Sequence, residues 1–258
     1  IGKVFAAVTP SDGTDKWQET FRILGIIIVV VMVICSFFFV KPEAGYNPGA
    51  ASAQKKAVRE PACEVNTGKM AMMPTFWFYY IWAILVSAAG LALVSQASGI
   101  ASQVGTTVSD GNIATVVGLI SIFNGIGRVI FGGLFDKKGH RFTMILDMII
   151  FIVAALILVL ALMSGNFAFI VIGFVVGGLA YGGVTPTNSA ISDFFGRENY
   201  SMNFSLINTN LLIASFASTI AGKLYDASGS FMTTIFMMII VTVLGFVVSF
   251  GVRRPKAK

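Results

Sequence analysis

The stretch Gly132-Gly133-Leu134-Phe135-Asp136-Lys137-Lys138-Gly139-His140-Arg141 stands between two long apolar runs, 112–134 and 143–163. Gly139 permits a tight turn with positive φ between antiparallel helices. Lys137, Lys138 and Arg141 hold that turn at a membrane face and complement a helix C-terminus. Asp136 is a fixed negative charge well placed to cap the N-terminus of a neighbouring helix. Each flanking run approaches or exceeds the roughly 20 residues a bilayer requires. A charged hairpin between two such runs predicts helices that cross a membrane and turn at its surface.

Five further runs complete the set: 23–40, 76–98, 167–189, 201–221 and 232–252. None alternates with period two over about ten residues, so a barrel of tilted strands is excluded. Backbone groups in lipid must satisfy one another, which leaves helices. The composition agrees: 56% of the 258 residues are apolar and 12% are charged, against about a quarter charged in soluble domains. The fold class is therefore an all-α membrane protein with seven transmembrane helices. A secreted disulfide scaffold, a disordered chain and a water-soluble enzyme are excluded.

Lys and Arg in the loops set the orientation. With the connector 41–75 in the cytoplasm, that side holds 13 basic residues against 4 outside, with Arg128 left within a span. The net charge of +6 then faces lipid headgroups and calls for no nucleic acid. The C-terminus is cytoplasmic, and the expected location is a plasma or inner membrane. Cys35 lies in a span and Cys63 in a cytoplasmic connector, so they do not pair. With one histidine, no metal site or cofactor is expected.

The connector carries Pro42, Pro48, Pro61 and Pro74, with a short amphipathic piece expected around 50–60. The division is 1–22 outside, a span at 23–40, the linker 41–75, a six-helix bundle over 76–252 and a tail at 253–258. The chain opens with Ile on the outer side without a signal sequence. That predicts the C-terminal part of a longer protein.

The Gly132–Arg141 loop resembles the signature loop of the major facilitator superfamily. Phe76-Trp77-Phe78-Tyr79-Tyr80 through Ser87-Ala88-Ala89-Gly90-Leu91 resembles the seventh helix of its oxalate/formate antiporter family, related to monocarboxylate transporters. Tyr181-Gly182-Gly183-Val184-Thr185-Pro186 and Ser192-Asp193-Phe194-Phe195-Gly196-Arg197 are similar to that family's tenth helix and following loop. Asn199-Tyr200 and Gly222-Lys223-Leu224-Tyr225-Asp226 extend the likeness. The resemblance implies alternating access, with a small organic anion held between two six-helix halves. Residues 76–252 would be the C-terminal half, 23–40 the last helix of a missing N-terminal half, and Gly132, Asp136, Lys137, Lys138, Gly139 and Arg141 a gating loop. The protein would be a transporter and not an enzyme, its partners the bilayer, the anion and that other half.

Arg128 is the one basic residue inside a span, with Ser121 and Asn124 on the same helical stripe. An intramembrane Arg costs at least a few kcal/mol and faces the bundle interior with a partner. Its planar fork matches a carboxylate, and the resemblance gives it the anion. The other reading is a snorkelling or structurally paired Arg of the signature loop. A second stripe, Ser205, Asn208, Thr209, Leu212, Ser215 and Thr219, reads either as cavity lining or as helix packing. The oxalate exchangers carry a Lys on this helix; here stand Asn208, Thr209, Asn210 and Leu211. One Arg suits a monocarboxylate better than a dianion. On the first bundle helix Tyr79 and Gln96 are substrate candidates, and the aromatic run Phe76–Tyr80 with Trp82 reads otherwise as an interfacial anchor.

Gly173, Gly177, Gly178, Gly182 and Gly183 suit either a bendable helix or tight static packing, with Pro186 kinking or ending the span. Only Asp147 among the acids falls within a span, near its cytoplasmic end. No midplane carboxylate is available to carry a proton, so exchange or facilitated diffusion is expected. The alternatives are a seven-helix receptor and a non-transporting membrane scaffold. A retinal-type pigment would need a Lys in the last span, and 231–252 has none.

Overall fold

The structure, a computed structural model, describes residues 17–40, 61–184 and 190–255. Every regular element among them is helical. These are α1 Trp17–Ser36, α2 Thr67–Ala71, α3 Pro74–Val104, α4 Asp110–Lys138, α5 His140–Ser164, α6 Phe167–Gly182, α7 Ala190–Phe195, α8 Tyr200–Asn208, α9 Asn210–Ser228 and α10 Phe231–Ser249. The chain divides into two units, 1–59 and 60–258. In the first, α1 is apolar from Phe21 onward. Its side chains from Ile26 to Ile34 are exposed.

Among the described residues, five helices are long and apolar enough to cross a membrane: Pro74–Val104, Asp110–Lys138, His140–Ser164, Tyr200–Ser228 (α8 with α9) and Phe231–Ser249. Phe21–Ser36 and Phe167–Gly182 are apolar but shorter. The run at 23–40 therefore gives less helix than its hydropathy predicts. Helical structure stops at Ser36 there, while α6 is capped by Gly183 and Val184 just beyond is helical. Residues 185–189 lie outside the described set, as does the amphipathic piece expected around 50–60.

The hairpin at Gly139 is tighter than a ten-residue loop. Helix α4 continues through Asp136, Lys137 and Lys138, and α5 begins at His140. Gly139 alone joins them, with φ 80° and its N–H bonded to the Phe135 carbonyl at 2.9 Å. Helical hydrogen bonds need no apolar side chain, so the charged residues complete the last turn. Lys137 and Lys138 there meet the negative end of the helix dipole.

In the second unit α3 is the central helix, packed against α4, α5, α6, α9 and α10. At 31 residues it is about 46 Å long. Helices α4 and α6 meet backbone to backbone. A Cβ on Gly178 would lie 2.7 Å from the Ile120 carbonyl oxygen, and one on Gly127 would fall on that of Leu179. A Cβ on Gly182 would stand 2.8 Å from the backbone N of Arg128. Small residues are what make this approach possible, and it fixes Arg128 against the end of α6.

The aromatic run at the start of α3 divides by helical period. Phe76, Tyr79, Tyr80 and Trp82 are buried in one core cluster with Met144, Met148 and Phe151 of α5. Trp77 and Phe78 are exposed, and Trp77 Nε1 donates to the Ala71 carbonyl at 2.9 Å. The run is thus both core and outward-facing surface.

The end of the linker, read as polar connector, is fastened to the turn before α8. Ala62 N donates to Asp193 O at 2.8 Å and Val65 N to Phe195 O at 3.1 Å. The Cys63 thiol donates to Phe194 O at 3.0 Å. Glu64 accepts from the backbone N of Arg197 (3.0 Å to Oε2) and Glu198 (3.3 Å), filling the turn made by Gly196 at φ 94°. Asn203 Nδ2 donates to Val65 O and Thr67 Oγ1 to Asn203 Oδ1.

Candidate functional site

Two long-range contacts from α3 hold a polar seam at the junction of α8 and α9. The junction is a local tightening of one span: Thr209 N bonds Leu206 O at 3.2 Å and Leu212 N bonds Thr209 O at 3.1 Å, both three residues apart. Tyr80 and Thr209 share a hydroxyl–hydroxyl bond of 2.6 Å. Ser87 Oγ donates to Asn210 Oδ1 at 3.4 Å, while Asn210 Nδ2 donates back to the Ile207 carbonyl at 2.6 Å. Asn210 is thereby buried with both ends of its amide engaged.

Opposite the seam stands Arg128. Its Nε donates to Asn124 Oδ1 at 3.1 Å, one turn earlier on α4. No carboxylate among the described residues pairs with it, and the side chain is exposed. Beside it the ring of Tyr181, on α6, occupies the space a Cβ would take at Gly90 of α3. A bare backbone at Gly90 thus seats the Tyr181 ring, and one at Gly182 lets α6 approach the backbone of α4 at Arg128.

Between these walls lies a cavity of about 230 Å³. Ser87, Arg128 and Tyr181 line one side; Phe204, Asn208, Asn210 and Leu211 line the α8–α9 side, with Val184 beside them. Arg128 is the only charged residue among them. The cavity therefore presents one positive charge, hydroxyl and amide groups, and apolar walls.

Of the residues singled out from sequence, Arg128 and Asn208 line this cavity, and Asn124 touches it through Arg128. Ser121 shares the exposed stripe of α4 but is not a lining residue. Tyr79 is 1% exposed within the core. Gln96 reaches across to the Ser218 carbonyl at 3.5 Å, away from the cavity lining. Ser205 and Ser215 bond carbonyls of their own helix, at Ser201 and Leu212. Along the hairpin, Gly132 is half-buried within α4 while Asp136, Lys137 and Lys138 are exposed. Asp136 makes no hydrogen bond or ion pair among the described residues. Arg141 stacks its guanidinium 5.9 Å from the Phe250 ring.

Tyr181, Ser87, Asn210 and Phe204 join the site without having been singled out for it. The signal for Tyr181 was present in Tyr181-Gly182-Gly183, a large polar aromatic beside two small residues. Its counterpart, Gly90, is 91 residues earlier and has no local mark.

No curated protein gives a match to this sequence. The model of the Major Facilitator Superfamily matches residues 1–219. That match spans most of the chain and agrees with its long apolar helices: the chain belongs to the Major Facilitator Superfamily, a family of integral-membrane transporters.

Proposed function

We propose that this transporter carries a small organic anion with a single carboxylate by alternating access, and that Arg128 binds the carboxylate. The supporting observation is the state of Arg128: it lines a cavity and holds no protein carboxylate among the described residues. A guanidinium engaged only through Nε keeps its two terminal nitrogens for a planar, bidentate partner. The cavity volume of about 230 Å³ lies below the roughly 300–1,000 Å³ of pockets for drug-sized ligands, so the occupant is small. Asn208 and Asn210, where a second cation would be needed for a dianion, speak for one negative charge. In this reading 76–252 forms the C-terminal half of the carrier and 23–40 the last helix of another half. The anion is bound by the C-terminal half at Arg128, within the bilayer, and the Gly132–Arg141 hairpin gates at the cytoplasmic face.

Uptake of labelled monocarboxylates into proteoliposomes tests this, using Arg128→Lys and Arg128→Gln in the full protein. Loss of the bidentate fork is expected to weaken apparent affinity at least tenfold in Gln and less in Lys. Unchanged affinity in both removes the anion site from Arg128.

A further inference from the structure

The span made of α8 and α9 is fastened to different neighbours on the two sides of Thr209. Beyond it, Ala214 and Ala217 of α9 form a buried cluster with Ala88 of α3, and Ser218 Oγ donates to the Leu91 carbonyl at 3.4 Å. Before it, α8 is held through Asn203, which bonds Val65 and Thr67 at the end of the linker. Two anchorages on one span leave the point between them to absorb relative movement.

That point carries the marks of a bend. Helix α8 ends at Asn208 and α9 begins at Asn210. Thr209 Oγ1 donates to the Leu206 carbonyl at 2.7 Å and Asn210 Nδ2 to the Ile207 carbonyl at 2.6 Å, each reaching back three residues. Side-chain donors on helix carbonyls favour a bend where they act. The Thr209 hydroxyl has one proton, and the Leu206 carbonyl takes it. In the 2.6 Å contact between Tyr80 and Thr209 the tyrosine is therefore the donor and Thr209 the acceptor. Tyr80 is buried in the core cluster of α3 and α5, its ring stacked on Phe76 at 5.5 Å, so its hydroxyl is presented from a fixed base. The cavity wall straddles the same point: Phe204 and Asn208 come before Thr209, Asn210 and Leu211 after it. A bend at Thr209 moves one half of that wall against the other and changes the space in front of Arg128.

We propose that Tyr80 is a positioning residue that sets the size of solute the cavity accepts, its hydroxyl latching a hinge at Thr209. Tyr80 does not line the cavity and acts through Thr209. With the latch made, the two halves of the wall are held in register and the cavity stays small. With the latch broken, α8 turns relative to α9 and a bulkier acid fits. The size role rests on the cavity being the solute site; the hinge itself does not.

The test compares the full protein in proteoliposomes with Tyr80→Phe, Thr209→Val and Thr209→Ser. Tyr80→Phe strands no buried donor, because Thr209 keeps its own bond to Leu206; Thr209→Ser keeps the acceptor. Amide hydrogen exchange reads the hinge without any solute. Exchange over 204–212 is expected to rise about three- to tenfold in Tyr80→Phe and Thr209→Val, the size of one net hydrogen bond. It should stay at the wild-type rate over 231–249 and throughout Thr209→Ser. Competition against labelled lactate reads size: the affinity for benzoate relative to acetate should rise about three- to tenfold in the first two variants and not in the third. General destabilisation would raise exchange across the bundle and leave that ratio unmoved. Unchanged exchange over 204–212, or an unchanged ratio, overturns the proposal. If the wild type carries no lactate at all, the anion reading fails, and the exchange data alone decide for or against the latch.

Discussion

Arg128 and Asn124 are joined within a single helix turn, the guanidinium Nε donating to the amide oxygen at 3.1 Å. The bond uses the one guanidinium donor that does not belong to the terminal fork. It orients the cation across the cavity without neutralising it, which a carboxylate at the same place would do.

If Arg128 binds the solute as proposed, Asn124 is a positioning residue. Asn124→Ala removes a hydrogen bond to a charged group, about 1.5–3 kcal/mol, and is expected to weaken anion affinity roughly tenfold or more while Arg128 stays present. Asn124→Asp is expected to do worse, because it supplies the internal counter-ion that the wild type lacks. Equal affinities for Ala and Asp variants, measured by substrate-protected thermal shift, would argue against an electrostatic role.

Helix packing gives a stability contrast between two glycines of the bundle. At Gly178 a Cβ would stand 2.7 Å from the backbone oxygen of Ile120, and backbone cannot rotate away. Gly178→Ala should cost about 1–3 kcal/mol through overpacking. At Gly125, on α4, nothing lies within 4 Å, so Gly125→Ala should be neutral or stabilising by up to about 1 kcal/mol, from helix propensity. Tm in detergent is expected to fall for the first and hold or rise for the second.

The linker clasp gives a pH-dependent prediction. Burial, then the neighbouring Glu64 carboxylate, push the Cys63 thiol above its ordinary range, and Arg254 partly opposes them. The thiol also donates to Phe194 O, a bond only its protonated form can make. Because the raised acid keeps its proton longer in the folded protein, stability from this group is fully present below the ordinary thiol range and is lost as pH rises from there through the raised folded value. In a Cys35→Ser background, maleimide labelling of Cys63 at neutral pH should be slow and should accelerate at alkaline pH. Glu64→Gln should speed it at every pH by removing the negative charge. Rapid labelling of the wild type at neutral pH would show that the clasp is open.

The hydrophobic runs, the turn at Gly139 and the stripe holding Asn124 and Arg128 were legible because each is written in consecutive or i, i+4 residues. A charge in an apolar run needs no partner to be noticed. The rest depends on pairs distant in sequence: Tyr181 over Gly90, Ser87 with Asn210, Glu64 in the Gly196 turn. Tyr79 and Trp82 were ambiguous for a different reason. In a membrane helix the lipid face and the core face are both apolar, so periodicity loses the contrast that separates inside from outside in a soluble protein. The end of α1 was equally hidden, since Ser36 lies within a run whose hydropathy continues to 40.

On the proposed anion reading, charge selectivity depends on what lines the α8–α9 wall. Asn208 borders the same cavity as Arg128 and carries no charge. Asn208→Lys would add a second cation facing a solute already held by the first. For a carboxylate about 6 Å from the new ammonium, at an effective dielectric of about 20, the added attraction is on the order of 3 kcal/mol. Burial of an unpaired Lys in the empty cavity opposes that gain, so the solute-free protein should lose Tm. A dicarboxylate should restore it more than a monocarboxylate does. Competition by oxalate against labelled lactate is expected to be weak in wild type and to strengthen by tenfold or more in Asn208→Lys. Strong oxalate competition in the wild type would mean that one guanidinium does not limit the charge this carrier accepts.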